Sequence, residues 1–206
     1  MARRLVIGTR NRGKVAEIAA ILGDLDLVLV PLSEVWTRSG AECGPVPTVE
    51  ESGETFEANA RAKALGYARA TGEWVLADDS GLEVDALGGR PGVLSSRWGG
   101  EQGNDRLNNQ ALLRALAGRP KETWTARFRC AAALATPERV LAVTEGACEG
   151  RITDRPAGAS GFGYDPHFVV DGHGRTMAEL GPEVKNRLSH RARALVAMKA
   201  RLEKLL

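Results

Sequence analysis

The residues of this chain best suited to chemistry begin with Asp78-Asp79-Ser80-Gly81, which follows the apolar run Trp74–Ala77 without a spacer. Two adjacent carboxylates at the end of a buried strand repel each other and lose solvation unless a cation meets them. A divalent ion, Mg²⁺ foremost, takes hard oxygen ligands and leaves coordination positions for phosphate. Taken alone, Asp-Ser-Gly favours a blander reading, a strand ending in an Asx turn.

A second stretch, Gly8-Thr9-Arg10-Asn11-Arg12-Gly13-Lys14, fits the phosphate-loop pattern G-x-x-x-x-G-K between a strand and a helix. It departs from the pattern at Val15, where Ser or Thr would hold the metal. Such a turn offers backbone N–H groups, a helix N-terminus and the Lys14 ammonium to phosphate oxygens, and leaves the metal to carboxylates elsewhere. Asp78 and Asp79 are candidates, as is one acid of Glu50-Glu51, which precede a helix with Asn59 and Lys63. A third stretch, Gly161-Phe162-Gly163-Tyr164-Asp165, combines a flexible backbone with two rings, a stacking platform for a base or a pair of rings folded into the core. Lys185 and Ser189-His190-Arg191 add donors, which at a base edge favour a carbonyl over an amine. Each of these also reads as a charged helix face.

The elements that position these residues follow from periodicity. Leu5–Ile7 reads as a buried strand, with a helix from Lys14 stopped by Gly23, and Leu27–Val30 as a strand ended by Pro31. Residues 37–53 read as an exposed loop. Thr55 caps a helix to about Ala70, followed by the central strand Trp74–Ala77. Residues 82–100 are glycine-rich and read as a long loop, and Asn104–Leu116 as a helix. Trp124–Ala135 alternates as a strand that turns at Thr136-Pro137-Glu138 and returns over Val140–Gly146. Phe168–Val170 is a short strand, and a last amphipathic helix runs from about Pro182 to the C-terminus. Strand–helix alternation ahead of a hairpin predicts an α/β architecture with a mixed sheet.

Composition excludes several classes. The 206 residues suit one domain or two closely joined lobes, and a hydrophobic content of 43% supports a core. A net charge of +2 without a dense Lys/Arg block argues against nucleic acid as a partner and for a small anion held at a site. Cys43, Cys130 and Cys148 form no C-x-x-C pair, which argues against a disulfide framework or zinc site and fits a reducing cytoplasm. The apolar run behind Arg3 and Arg4 is too short for a signal peptide, and no segment is expected to span a membrane.

Together these stretches resemble the inosine triphosphatase family, the pyrophosphatases of noncanonical purine nucleoside triphosphates. The resemblance covers nearly the whole chain. It rests on Thr9-x-Asn-x-x-Lys14, Glu50-Glu-x-Gly-x-Thr-Phe56, Asn59 with Lys63, Ala77-Asp-Asp-Ser-Gly-Leu82 and Gly88-Gly-x-Pro-Gly92. It rests also on Ser96-Arg97, Arg127-Phe128, Ser160-Gly-Phe-Gly-Tyr-Asp-Pro166, and Lys185 with Ser189-His-Arg191. The order and spacing of these motifs are far more specific than any one of them.

The resemblance implies a single domain over residues 1–206, an elongated mixed β-sheet with flanking helices, two lobes and an active-site cleft between them. It implies hydrolysis of ITP, dITP and XTP to the monophosphate and pyrophosphate, and usually a homodimer. Thr9, Arg10, Asn11, Arg12, Gly13 and Lys14, with Lys63, would line the triphosphate. Glu51 and Asp79 would bind Mg²⁺, Asp79 would also be the general base, and Ser80 would contact substrate. Phe162, Gly163, Tyr164, Asp165, Lys185, His190 and Arg191 would hold the base. Arg129 stands where relatives often have His, and Arg10 and Arg12 make the first loop unusually basic. Two other readings compete: a pyrophosphatase for modified pyrimidine or methylated nucleotides, and a nucleotide sensor without turnover.

Overall fold

The computed structural model describes residues 2–35 and 48–206. Residues 37–47 of the expected loop, and Cys43 with them, lie outside the described residues. Among the described residues, six strands are β1 (Arg3–Ile7), β2 (Leu27–Pro31), β3 (Trp74–Val84), β4 (Thr125–Ala135), β5 (Val140–Ile152) and β6 (Phe168–Val170). Five helices are α1 (Arg12–Leu22), α2 (Phe56–Thr71), α3 (Asp105–Leu116), α4 (Met177–Leu188) and α5 (His190–Leu202). The strand order is β2-β1-β3-β4-β5-β6. β1 pairs in parallel with β2 and β3, and β6 is antiparallel to β5, so the sheet is mixed as the alternation predicts.

Local chemistry sets the helix ends. Thr55 accepts a hydrogen bond from the Ala58 N–H at the start of α2, and Gly72 closes that helix in the left-handed conformation at φ 72°. Thr176 and Glu179 make a reciprocal capping box at the start of α4. Pro31, which has no N–H to donate, is the last residue of an edge strand, where the loss is tolerated.

Four expectations change. The central strand does not stop at Ala77: β3 continues through Asp78-Asp79-Ser80-Gly81 to Val84. Residues 82–100 are not one open loop, since they hold the end of β3 and short 3₁₀ turns at Asp85–Leu87 and Gly92–Arg97. β5 runs six residues past the expected end, to Ile152. The last helix is two helices. Ser189 leaves the helical region at φ −65°, ψ 156°, and Gly181 breaks α4 near its start at φ 73°, ahead of Pro182.

The chain divides into two compact units. One comprises residues 1–79, 130–145 and 191–206, and the other residues 80–129 and 146–190. The first has a core of Leu5, Ile7, Leu76, Ile18, Leu22 and Leu134, closed by Leu195 and Met198 of α5. The second packs Leu82, Val84, Leu112, Phe128, Phe168 and Met177. Side chains of one face of β4 serve both cores: Ala126 and Phe128 the second, Cys130 and Ala132 the first. The cores are independent sets of residues, although β3, β4 and β5 each contribute to both units.

Candidate active site

Because β3 continues through them, Asp78 and Asp79 point to opposite faces of a strand. They cannot serve one ligand as neighbours on a turn would. Asp78 lies on the Leu76 face. Its Oδ2 is 2.9 Å from Lys14 Nζ and accepts a hydrogen bond from Arg191 Nε at 3.1 Å. The Cys130 thiol lies 3.8 Å from the same oxygen, and Arg191 also pairs with Glu17. Burial alone would raise the Asp78 pKa, but Lys14, Arg191 and Lys63 outweigh it and hold the carboxyl well below the usual range. Lys14 and Arg191 against Glu17 and Asp78 make a balanced set of charges.

The Asp79 face differs. Asn59 Nδ2 donates to Asp79 Oδ2 at 3.0 Å, and Lys63 Nζ lies 3.4 Å from Asp79 Oδ1 and 2.7 Å from Glu51 Oε2. Asn59 and Lys63 are four residues apart, on one side of α2. Asn59 also accepts from the Gly53 N–H at 2.8 Å and donates to the Gly53 carbonyl at 3.2 Å, which pins the segment bearing Glu51. A Cβ on Gly53 would sit 2.7 Å from Asn59 Oδ1, so this close approach requires glycine. Burial raises the pKa of Asp79, and Glu51 adds to the rise; Lys63, Lys14 and the Asn59 hydrogen bond oppose it without cancelling it. Burial pushes Lys63 down, but Asp79, Asp78 and Glu51 reverse the effect and hold it charged. Among the described side chains Lys63 is the cation that pairs with these two carboxylates, and the charge of Lys14 acts on Asp79 from farther off.

The first turn is ordered by its own side chains. The Gly8 N–H bonds to the Leu76 carbonyl at 2.7 Å, and a Cβ there would press on Val75 and Ala77. Asn11 caps α1: its Oδ1 accepts from the N–H groups of Gly13 at 2.8 Å and Lys14 at 3.2 Å. Its own N–H donates to Thr9 Oγ1 at 3.2 Å. Arg10 donates to Thr48 Oγ1 at 2.6 Å, and Arg12 is exposed on the first turn of α1. Several amides expected to face phosphate are thus engaged within the turn, and the Lys14 ammonium rests on Asp78.

In the second unit the segment Gly161–Asp165 is fixed from several sides. Asp165 is buried, and its Oδ2 accepts from the Phe162 N–H at 3.0 Å and from Lys185 Nζ at 2.6 Å. The Lys185 ammonium lies 4.3 Å from the centroid of the Phe162 ring, a cation–π contact. Tyr164 is folded into the core, and its hydroxyl donates to the Ser95 carbonyl at 2.8 Å. Asp105 Oδ2 accepts from the Gly163 N–H at 2.7 Å, and Asn109 Nδ2 donates to the Gly163 carbonyl at 2.9 Å. His190 is buried and stacks on Phe128, with ring centroids 4.8 Å apart. Lys185, Ser189, His190 and Arg191 are all buried, so the solvated helix face is excluded. Ser80 is half-buried within β3.

Residues 5–201 match the model of the Ham1 family. The chain belongs to the Ham1 family. It is 48% identical over 199 residues to a dITP/XTP pyrophosphatase of Shouchella clausii, covering 97% of this chain and 96% of that one. It is 49% identical to a protein of the same description from Geobacter sulfurreducens, again over 97% of this chain and 96% of the relative. Among solved structures, a HAM1 protein from Coxiella burnetii superimposes with a TM-score of 0.85 at 39% identity, covering 98% of this chain and 99% of that one. The family expected from the spacing of the motifs is the family found.

The magnesium that the resemblance implies fits the Asp79 side of this Ham1 chain and not the Asp78 side. Lys63 already shows that one cation can meet Glu51 and Asp79 together. The burial-raised Asp79 and Glu51 offer hard oxygen donors. Among the described residues no group of three or more His, Cys, Asp or Glu side chains is placed to hold a metal. Two carboxylates suit an ion that keeps water and phosphate as its other ligands. The exposed neighbour, Glu50, makes no ion pair of this kind among those described.

Asn59 does more than its sequence context suggests, joining Gly53 to Asp79, and Asp105, Asn109 and Ser95 hold site segments with no motif to mark them. Its spacing of four from Lys63 was a usable signal for Asn59. Nothing local marked the other three, whose long-range partners lie 13 to 69 residues away in the chain.

Proposed function

We propose that this chain hydrolyses dITP, ITP and XTP to the nucleoside monophosphate and pyrophosphate, with Mg²⁺ and with Asp79 as the base. The observation that carries this reading is the placement of Lys63 between Glu51 and Asp79, a cation position flanked by a buried carboxylate of raised pKa. The names of the relatives, dITP/XTP pyrophosphatase, support the substrate class.

Glu51 and Asp79 would hold the metal, which supplies charge neutralisation at the triphosphate and lowers the pKa of a bound water. Asn59 fixes one oxygen of Asp79 by its hydrogen bond, and the other, 3.4 Å from Lys63 Nζ, is the one assigned to accept the proton of the attacking water. Burial strengthens Asp79 as a base by disfavouring its charged form. Water attacks the α-phosphorus and pyrophosphate leaves, with Lys14, Lys63, Arg10, Arg12 and the Thr9–Gly13 turn assigned to the phosphates. Ser80 is assigned a substrate contact. At the base, Phe162 supplies a stacking face, and Lys185 and His190 supply donors suited to a 6-oxo group. Gly163, Tyr164 and Asp165 shape that segment, and Arg191 acts as the counter-ion of Asp78. A site built on such donors discriminates against a 6-amino group by roughly 10⁴-fold. The reading includes a homodimer acting in the cytoplasm. No described helix is long and apolar enough to cross a membrane.

The test is product analysis with ITP, XTP, GTP and ATP, with and without Mg²⁺, assaying pyrophosphate and orthophosphate separately. Pyrophosphate from ITP and XTP alone, and only with metal, is expected. Orthophosphate would place the attack at the γ-phosphorus and overturn the mechanism. Turnover of modified pyrimidine nucleotides instead would overturn the substrate class, and binding with no product would leave a sensor.

A further inference from the structure

The segment that presents Phe162 is gripped from α3. Gly163 adopts the left-handed conformation at φ 64°, and both of its backbone polar groups are held by the same helix. Asp105 accepts its N–H at 2.7 Å, and Asn109 donates to its carbonyl at 2.9 Å. Asp105 and Asn109 are four residues apart, so one turn of α3 places an acceptor and a donor at the two ends of one residue. The Asn109 amide donates as well to the Asp105 carbonyl at 2.9 Å, which fixes which way the amide points: two carbonyls require its NH₂.

Gly163 directly follows Phe162, whose own N–H is tied to Asp165 and whose ring faces the Lys185 ammonium. The Phe162 ring therefore stands on a backbone whose next residue cannot rotate without breaking two hydrogen bonds, one to a charged acceptor. A charge-assisted bond of this length is among the stronger ones. Asp105 is solvent-exposed, and neither side chain belongs to the second unit's apolar core. Asp105 can therefore be exchanged without opening the apolar core, and the melting temperature reports what the half-buried Asn109 adds to stability.

We infer that Asp105 and Asn109 are positioning residues for base selection: they hold Gly163 so that Phe162 and Lys185 meet the purine in one orientation. The inference rests on the proposed assignment of Phe162 and Lys185 to the base. The residues act through the backbone of Gly163 and do not themselves touch the reacting atoms.

The experiment is steady-state kinetics on the full chain with ITP and ATP. The variants are Asp105→Ala, Asp105→Asn, Asn109→Ala, Phe162→Ala and the double variant Asp105→Ala/Phe162→Ala, each with its melting temperature. Asp105→Ala and Asn109→Ala are expected to raise KM for ITP roughly tenfold, the cost of one such hydrogen bond, with a smaller change in kcat and a reduced ITP-to-ATP preference. Asp105→Asn keeps an acceptor for the Gly163 N–H and is expected to restore KM. The double variant is expected to be no worse in KM than Phe162→Ala, because the grip acts through that ring. Unchanged KM and preference in Asp105→Ala and Asn109→Ala would overturn the inference. So would KM losses that add fully in the double variant, or a failure of Asp105→Asn to restore KM. If the wild-type chain turns over neither ITP nor XTP, the proposed function itself fails, which the wild-type row reports separately.

Discussion

Asp78 and Asp79 are chemically identical neighbours with opposite environments, and two variants separate them. Asp78 is matched by Lys14 and Arg191, and its carboxyl is held ionised. Asp78→Asn leaves the buried Arg191 and the half-buried Lys14 facing a neutral amide and is expected to cost about 3–5 kcal/mol, read as a lower urea midpoint. Asp79 is held against its preference, with a pKa raised by burial. Asp79→Asn is therefore expected to lower kcat by about 10²-fold or more while nucleotide binding persists and the urea midpoint stays at or above that of the wild type. Near-normal turnover in Asp79→Asn would remove it as the base. Tyr164 supplies the pH dependence. Burial, aided by the charge of Asp105, raises its phenol above the ordinary value of 10.0. Its contribution to stability is complete below pH 10 and is lost as pH rises, because the unfolded chain sheds this proton first. Tyr164→Phe is expected to lose about 1 kcal/mol at pH 7 with the hydrogen bond to Ser95. It should then fall less steeply than the wild type above pH 10, and an identical slope would refute the assignment.

At the scale of elements, α2 is the part that organises the Asp79 side. Capped by Thr55 and closed by Gly72, it sets Asn59 and Lys63 one turn apart, and Asn59 reaches back to Gly53. Gly53→Ala places a methyl group against Asn59 Oδ1. The expected outcome is weaker Mg²⁺ binding in a calorimetric titration without nucleotide, since Glu51 and the Asn59 hydrogen bond to Asp79 shift together. Retained metal affinity would show that the Gly53 contact does not set the site. The helix boundaries were legible because caps and glycine stops are local. The reach of β3 was not. Asp-Ser-Gly has turn chemistry, and only pairing with neighbouring strands keeps it extended. The break at Ser189 was missed for a similar reason: the apolar spacing of Val184, Leu188 and Leu195 continues across it.

For the molecule as a whole, two cores are built from different residues, and both described cysteines are buried within them, Cys130 in the first and Cys148 in the second. Burial, reinforced by Asp78, pushes the Cys130 thiol far above its ordinary range. In a Cys43→Ser background, neither thiol is expected to react with an aromatic disulfide reagent in the native state, and both should react in denaturant. Native reactivity at Cys130 would contradict the packing around Asp78.

The sequence by itself determined the family, the α/β class, most element positions and the set of residues from which a site could be made. Those depend on residue identity, order and short-range periodicity, which are present in one dimension. Tertiary structure alone decided how that set is divided. Strand alternation sends Asp78 to Lys14 and Arg191, 64 and 113 residues away, and sends Asp79 to Asn59, Lys63 and the Glu51 segment. Burial then sets the charges, ionised and neutralised on one face, under-compensated on the other. Neither desolvation nor the partner of a charge can be read from neighbours in sequence, because both are properties of what folding brings near.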